Sequence, residues 1–167
     1  GLIFDSGCGT GESTLLLARR HPACLVVGID QSSHRLARSG CRSPGVISGN
    51  AVLLRAELAD LWRLVRAAGW RLQQHYLLYP NPWPKPGQLQ RRWHAHPVFP
   101  TLLALGGELV LRSNWEIYAR EFAQALQWSL GPRVAVTPVS PKVPLSPFER
   151  KYQVSGHGLY EVTTRLP

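Results

Sequence analysis

Apolar runs of strand length alternate with segments of helical period along this chain, and no other feature constrains its fold as tightly. Leu2-Ile3-Phe4 is followed by a helical segment over 13–20, and the apolar run 25–29 by another over 33–38. Residues 51–54 lead into a helix at 58–68, whose Leu61, Leu64, Val65 and Ala68 share one face and which Gly69 ends. A fourth strand is expected at 75–79 and a short helix at 98–105. Gly106-Gly107 turns the chain into a fifth strand at 108–111. Ser113-Asn114-Trp115-Glu116 has the form of a capping box before a helix that ends at Gly131-Pro132. Two last strands, 134–136 and 159–162, flank a long loop over 138–158. Strands joined through helices must cross over to lie parallel. The pattern therefore predicts an α/β fold: a doubly wound, mostly parallel, Rossmann-like sheet of seven strands with an antiparallel last strand.

The chain has 167 residues, enough for one domain with a real core, and it reads as a single domain over 1–167. It opens inside a strand without a Met, as though an N-terminal segment preceded it. Nineteen Lys and Arg against ten Asp and Glu give a net charge of +9, which attracts polyanions and favours nucleic acid over an anionic membrane. No apolar run is long enough to span a membrane. Cys8, Cys24 and Cys41 are too far apart for a zinc site and suit a reducing, cytoplasmic setting, and no metal is expected.

In open sheets of this kind ligands bind beyond the carboxyl ends of the strands, and the chemically distinctive residues fall there. The first strand runs into Asp5-Ser6-Gly7-Cys8-Gly9-Thr10-Gly11. Its glycines let the backbone turn sharply and approach a ligand. The spacing differs from the dinucleotide fingerprint, since Glu12 and Thr14 stand where its last glycine would fall. Acid-x-G-x-G-x-G resembles instead the S-adenosylmethionine (SAM) loop of class I methyltransferases. Asp5 suits a zwitterionic, sulfonium-bearing ligand better than a pyrophosphate. That resemblance makes Asp5, Gly7, Gly9 and Gly11 cofactor residues, with Asp30 on the ribose hydroxyls. Glu57 reads either as a contact to the adenine amino group or as a helix N-terminal acid favoured by the dipole.

Tyr79-Pro80-Asn81-Pro82-Trp83-Pro84-Lys85-Pro86 cannot be helix or paired central strand, because four prolines remove four donors. It is a stiff loop with a basic tail at Arg91-Arg92. The string Asn81-Pro82-Trp83-Pro84-Lys85 with Arg91-Arg92 resembles the P-D-P-W-P-K...R-R signature of the bacterial tRNA (guanine-N7)-methyltransferase family. Ser146-Pro147-Phe148-Glu149-Arg150-Lys151 is similar to that family's T-x-F-E-x-(R/K) motif, and Tyr118 falls where the family has a Tyr after T-D. The resemblance covers residues 5–151. It implies a SAM-dependent enzyme of tRNA modification that is a monomer or weak homodimer. It also implies catalytic roles for Asn81 and Glu149 at the base, and substrate contacts from Lys85, Arg91, Arg92, Asn114, Ser146 and Tyr118. Guanine N7 carries a lone pair and no proton, so its methylation needs positioning and polar groups facing a developing cation rather than a general base. The family has carboxylates where this chain has Asn81 and Asn114.

Asn81-Pro82 before an aromatic is also similar to the (D/N/S)-P-P-(Y/F/W) loop of amino-directed N-methyltransferases, whose Asn oxygen and Pro carbonyl grip an amine. Other readings are a small-molecule methyltransferase, which the charge disfavours, and a catalytically weak SAM- or RNA-binding homologue.

Overall fold

A computed structural model describes residues 1–38 and 45–167; Cys41 lies outside the described residues. The strands are β1 (Leu2–Ser6), β2 (Leu25–Asp30), β3 (Gly45–Ser48), β4 (Ala51–Arg55), β5 (Gln74–Leu78), β6 (Gly107–Ser113), β7 (Val136–Pro138) and β8 (Tyr160–Leu166). They form one sheet in the order β3-β4-β2-β1-β5-β6-β8-β7. A strand stands near each of the seven expected places, the one expected at 134–136 lying two residues later as β7, and β3, an antiparallel edge strand on β4, makes an eighth. The five strands from β4 to β6 are mutually parallel, whereas β8 runs antiparallel to both β6 and β7. Strand order reverses at β1, between β2 on one side and β5 on the other. The carboxyl ends of β1 and β5 thus flank the crevice where such sheets take their ligands.

The helices are α1 (Glu12–Arg20), α2 (Ser33–Ala37), α3 (Leu58–Ala67), α4 (Phe99–Ala104), α5 (Glu116–Leu130) and α6 (Pro147–Val154). Successive strand residues point to opposite faces, and the core divides accordingly. Phe4, Leu77, Leu109 and Leu111 join Trp62 of α3, Leu102 of α4 and Phe122 of α5 in one cluster. Their neighbours Ile3, Tyr76, Leu78 and Val110 pack with Leu17 of α1 and Leu145 in another. Asn50, at the turn into β4, donates its amide to the carbonyls of Ala18, His21 and Cys24 at 2.6–3.2 Å, which fastens the end of α1 to the entry of β2. No helix among the described residues is long and apolar enough to cross a membrane.

Two local expectations are corrected. Ser113 does not cap α5: it is still paired in the sheet with Tyr160, and its Oγ accepts the Trp115 N–H at 3.0 Å, one residue short of the helix. The loop expected over 138–158 contains α6, started by another S-x-x-E, in which Ser146 Oγ accepts the Glu149 N–H at 3.2 Å and Pro147 takes the first helical position.

Phe122 is wholly buried and lies within ring-contact distance of His94, Phe99 and Tyr118. Phe122→Ala is expected to cost about 3–5 kcal/mol of stability, measured by urea denaturation, through the cavity it leaves.

Candidate active site

The glycine loop is anchored before any ligand arrives. Gly7 and Cys8 N–H donate to the Ile29 carbonyl at 2.7 and 2.9 Å, and Gly9 N–H donates to Asp30 Oδ2 at 3.0 Å. Gly7 and Gly9 adopt φ of 84° and 60°, and a Cβ built on either would meet nothing within 4 Å. The loop therefore presents bare backbone to open space. Gly11, also at positive φ, differs: a Cβ there would run into Leu53 at 2.9 Å, so its role is close packing against β4.

Asp5 is 1% exposed. Ser13 and Thr14, in the first turn of α1, donate their hydroxyls to its Oδ2 at 2.6 and 2.7 Å, while Oδ1 has no partner among the described residues. Burial raises its pKa from 3.8 to about 6, with the two hydroxyls opposing and the Asp30 charge adding. A buried carboxylate oxygen without a donor beside an open glycine cradle fits the ammonium and sulfonium of SAM. Asp30 sits at the end of β2, its Oδ1 accepting the Ser32 N–H at 2.8 Å and Arg35 lying 3.5 Å from Oδ2. Glu57, beyond β4, is exposed and caps α3 by accepting the Asp60 N–H at 3.1 Å. The helix-terminal role foreseen for it is thus occupied. Cys8 stays a thiol, because burial and the charges of Asp5 and Asp30 push its pKa up. Among the described residues no cluster of His, Cys, Asp and Glu could hold a metal.

On the other side of the crevice, β5 is followed by Tyr79, at φ 55°, and then by the proline loop. Asn81 is exposed, and its Oδ1 accepts the Trp83 N–H at 3.1 Å. Lys85 and Arg91 are exposed, with the Arg91 guanidinium 4.8 Å from the centre of the half-buried Trp83 ring.

Of the residues expected at the substrate, four are turned inward and a fifth, Asn114, is half-buried. Glu149 is fully buried: its Oε1 accepts from Tyr79 Oη at 2.8 Å and Arg112 Nη1 at 2.9 Å, and its Oε2 from the Leu145 N–H at 2.5 Å. Its carboxylate holds α6 against β5 and β6 rather than facing a base. Ser146, 5% exposed, is the cap of that helix. Tyr118, 1% exposed, uses its hydroxyl to accept the Trp93 N–H at 3.3 Å. Arg92 is buried and directed at Trp83 and Glu121. Asn114 is half-buried, and its amide lies 3.3 Å from His157 Nδ1.

Sequence reasoning passed over Arg112, which bridges Glu149 and Glu161. An arginine at an inward position of the strand Leu109-Val110-Leu111-Arg112 was the available signal. It also passed over Tyr152, whose ring lies 5.5 Å from that of Tyr79 and 5.3 Å from His157. A cavity of about 660 Å³ lined by Arg71, Leu72 and Gly107 lies at the opposite, amino-terminal edge of the parallel strands, away from these groups.

The chain matches, over residues 2–162, the family described as "Putative methyltransferase". It is 31% identical over 185 residues to a tRNA (guanine-N(7)-)-methyltransferase of Halorhodospira halophila, covering 98% of this chain and 74% of that protein. It is 29% identical over 172 residues to the enzyme of the same name from Leifsonia xyli, covering 96% and 74%. Among solved structures the fold is similar to that of the 16S rRNA methyltransferase KamB, with a TM-score of 0.69 at 17% identity over 99% of this chain and 87% of that one. A 16S rRNA (adenine(1408)-N(1))-methyltransferase from Catenulisporales acidiphilia, solved with cosubstrate SAM, gives 0.63 at 20% identity, over 99% and 85%. At these identities the likeness to both structures is one of fold.

A raised carboxylate pKa has a definite sign. Between pH 3.8 and about 6 the folded chain holds a proton on Asp5 that the unfolded chain has lost, so this group's contribution to stability declines as pH rises through that window. A cationic ligand needs the ionised form. SAM affinity is therefore expected to fall about tenfold per pH unit below about 6, measured by calorimetry from pH 5 to 8. Asp5→Asn should weaken binding at pH 7.5 and flatten the profile.

Proposed function

We propose that this chain, which belongs to the tRNA (guanine-N7)-methyltransferase family, is a SAM-dependent enzyme that methylates guanine N7 in tRNA. The observation that carries the reading is the pairing, across the β1/β5 crevice, of an anchored glycine cradle and buried Asp5 with an Asn-Pro-Trp-Pro-Lys loop bearing exposed cations. Bound SAM would supply the methyl group as a sulfonium. Asp5 would hold its ammonium end, Gly7 and Gly9 would let the backbone approach, and Asp30 would accept from the ribose. The division of labour at the RNA follows from exposure. Lys85 and Arg91 are free to meet phosphates, whereas Glu149, Ser146 and Tyr118 shape the site from beneath.

The amino-directed alternative needs the Asn81 oxygen as an acceptor for an amine. That oxygen is turned to the Trp83 N–H, which favours the guanine reading. A tRNA substrate supports a cytoplasmic setting.

Two measurements test this. Incubation with unmodified tRNA and labelled SAM, followed by digestion to nucleosides, is expected to yield 7-methylguanosine; activity on other nucleosides alone would overturn the reading. Combined Lys85→Ala and Arg91→Ala should reduce the slope of log affinity for tRNA against log salt by about two while leaving SAM affinity unchanged.

A further inference from the structure

Trp83 sits at φ 45°, a left-handed conformation that a bulky side chain rarely adopts, and its backbone is held from both ends. Its N–H donates to Asn81 Oδ1 at 3.1 Å. Its carbonyl accepts from Arg92, through Nη2 at 3.1 Å and Nε at 3.4 Å. Arg92 is 5% exposed, and its Nη1 is paired with Glu121 of α5. His94 Nε2 lies 3.2 Å from the same carboxylate oxygen of Glu121. A guanidinium whose donors are committed in this way is in no position to meet a phosphate. Its neighbour Arg91, exposed beside the Trp83 ring, is.

The clamp decides what Asn81 offers. An N–H must face an acceptor, so Oδ1 is the Asn81 atom turned to Trp83. The amide is planar, which directs Nδ2 and its two protons to the other side, where they meet no partner among the described residues.

Building on the guanine-N7 reading, we propose that Arg92 is a positioning residue: through the Trp83 carbonyl it fixes the loop so that Asn81 presents N–H donors to guanine O6. Guanine carries acceptors at both O6 and N7 on this edge, whereas adenine carries an amino donor in place of O6. A donor at O6 registers the base, leaves the N7 lone pair free to attack, and opposes adenine donor to donor. A carboxylate at position 81 could accept from Trp83 equally well, but it would offer the base an acceptor and would need one of guanine's own donors.

The test begins by locating the methylated guanosine in a tRNA transcript. Single-turnover rates are then compared for guanosine and 2-aminopurine, which lacks O6, at that position, with the wild-type chain and with Asn81→Ala. Loss of O6 is expected to slow the wild type about tenfold more than it slows Asn81→Ala. Equal slowing of both overturns the O6 contact, with the guanine-N7 reading intact. Absence of 7-methylguanosine on the unmodified transcript would overturn that reading itself and this proposal with it. For Arg92, the Arg92→Gln variant should lose about tenfold or more in kcat while the salt slope of tRNA binding and the SAM affinity stay unchanged. A slope reduced by about one with kcat retained would make Arg92 a phosphate contact and overturn the positioning role. Circular dichroism checks folding, and if Arg92→Gln unfolds, Glu121→Ala, which leaves Arg92 unanchored, is read by the same two quantities.

Discussion

A single buried carboxylate organises the side of the crevice that carries the proline loop. Glu149 has no solvent exposure, and its oxygens receive a tyrosine hydroxyl from the end of β5, a guanidinium from β6 and a backbone N–H just before α6. A charge placed there without partners would be untenable, whereas one with three donors joins three segments at a fixed distance. Arg112, held also by Glu161 of β8, carries the connection across to the antiparallel end of the sheet. Removing one member of such a buried pair typically costs about 3–5 kcal/mol, since the other charge remains. Tyr79 is the residue through which this network reaches the proline loop, and its left-handed backbone is where the chain leaves the sheet.

The glycine-loop side is built on another principle. There the loop is held almost entirely by backbone donors to Ile29 and Asp30, which leaves side-chain volume out of the crevice. One face is thus stiffened by buried charge and the other by main-chain bonds, and the crevice between them is defined by the reversal of strand order at β1.

What could be read from the sequence was what is local. The seven strands follow from apolar alternation, and the glycine loop with Asp30 follows from residues a few positions apart. The proline loop declares its own stiffness. What could not be read was which polar side chains turn inward, because their partners are remote: Arg92 meets Glu121, 29 residues on, and Tyr79 meets Glu149, 70 residues on. Arg91 and Arg92 are chemically identical neighbours whose fates diverge only in three dimensions. The two S-x-x-E strings make the same point. Both have the right spacing, yet the first Ser is still bound into the ladder with Tyr160 and only the second is released to start a helix. Edge strand β3, four residues long, was too short to register as a period.

The exposed turn at Asn81 has a bearing on how such enzymes diverge. Its bond to the Trp83 N–H uses an oxygen that aspartate also possesses, and its amide nitrogen has no hydrogen-bond partner among the described residues. Exchange of asparagine for aspartate, a one-nucleotide change in the codon, alters the group exposed at this turn while keeping the oxygen that accepts the Trp83 N–H. The group that this turn presents can therefore change in a lineage without an unstable ancestor along the way.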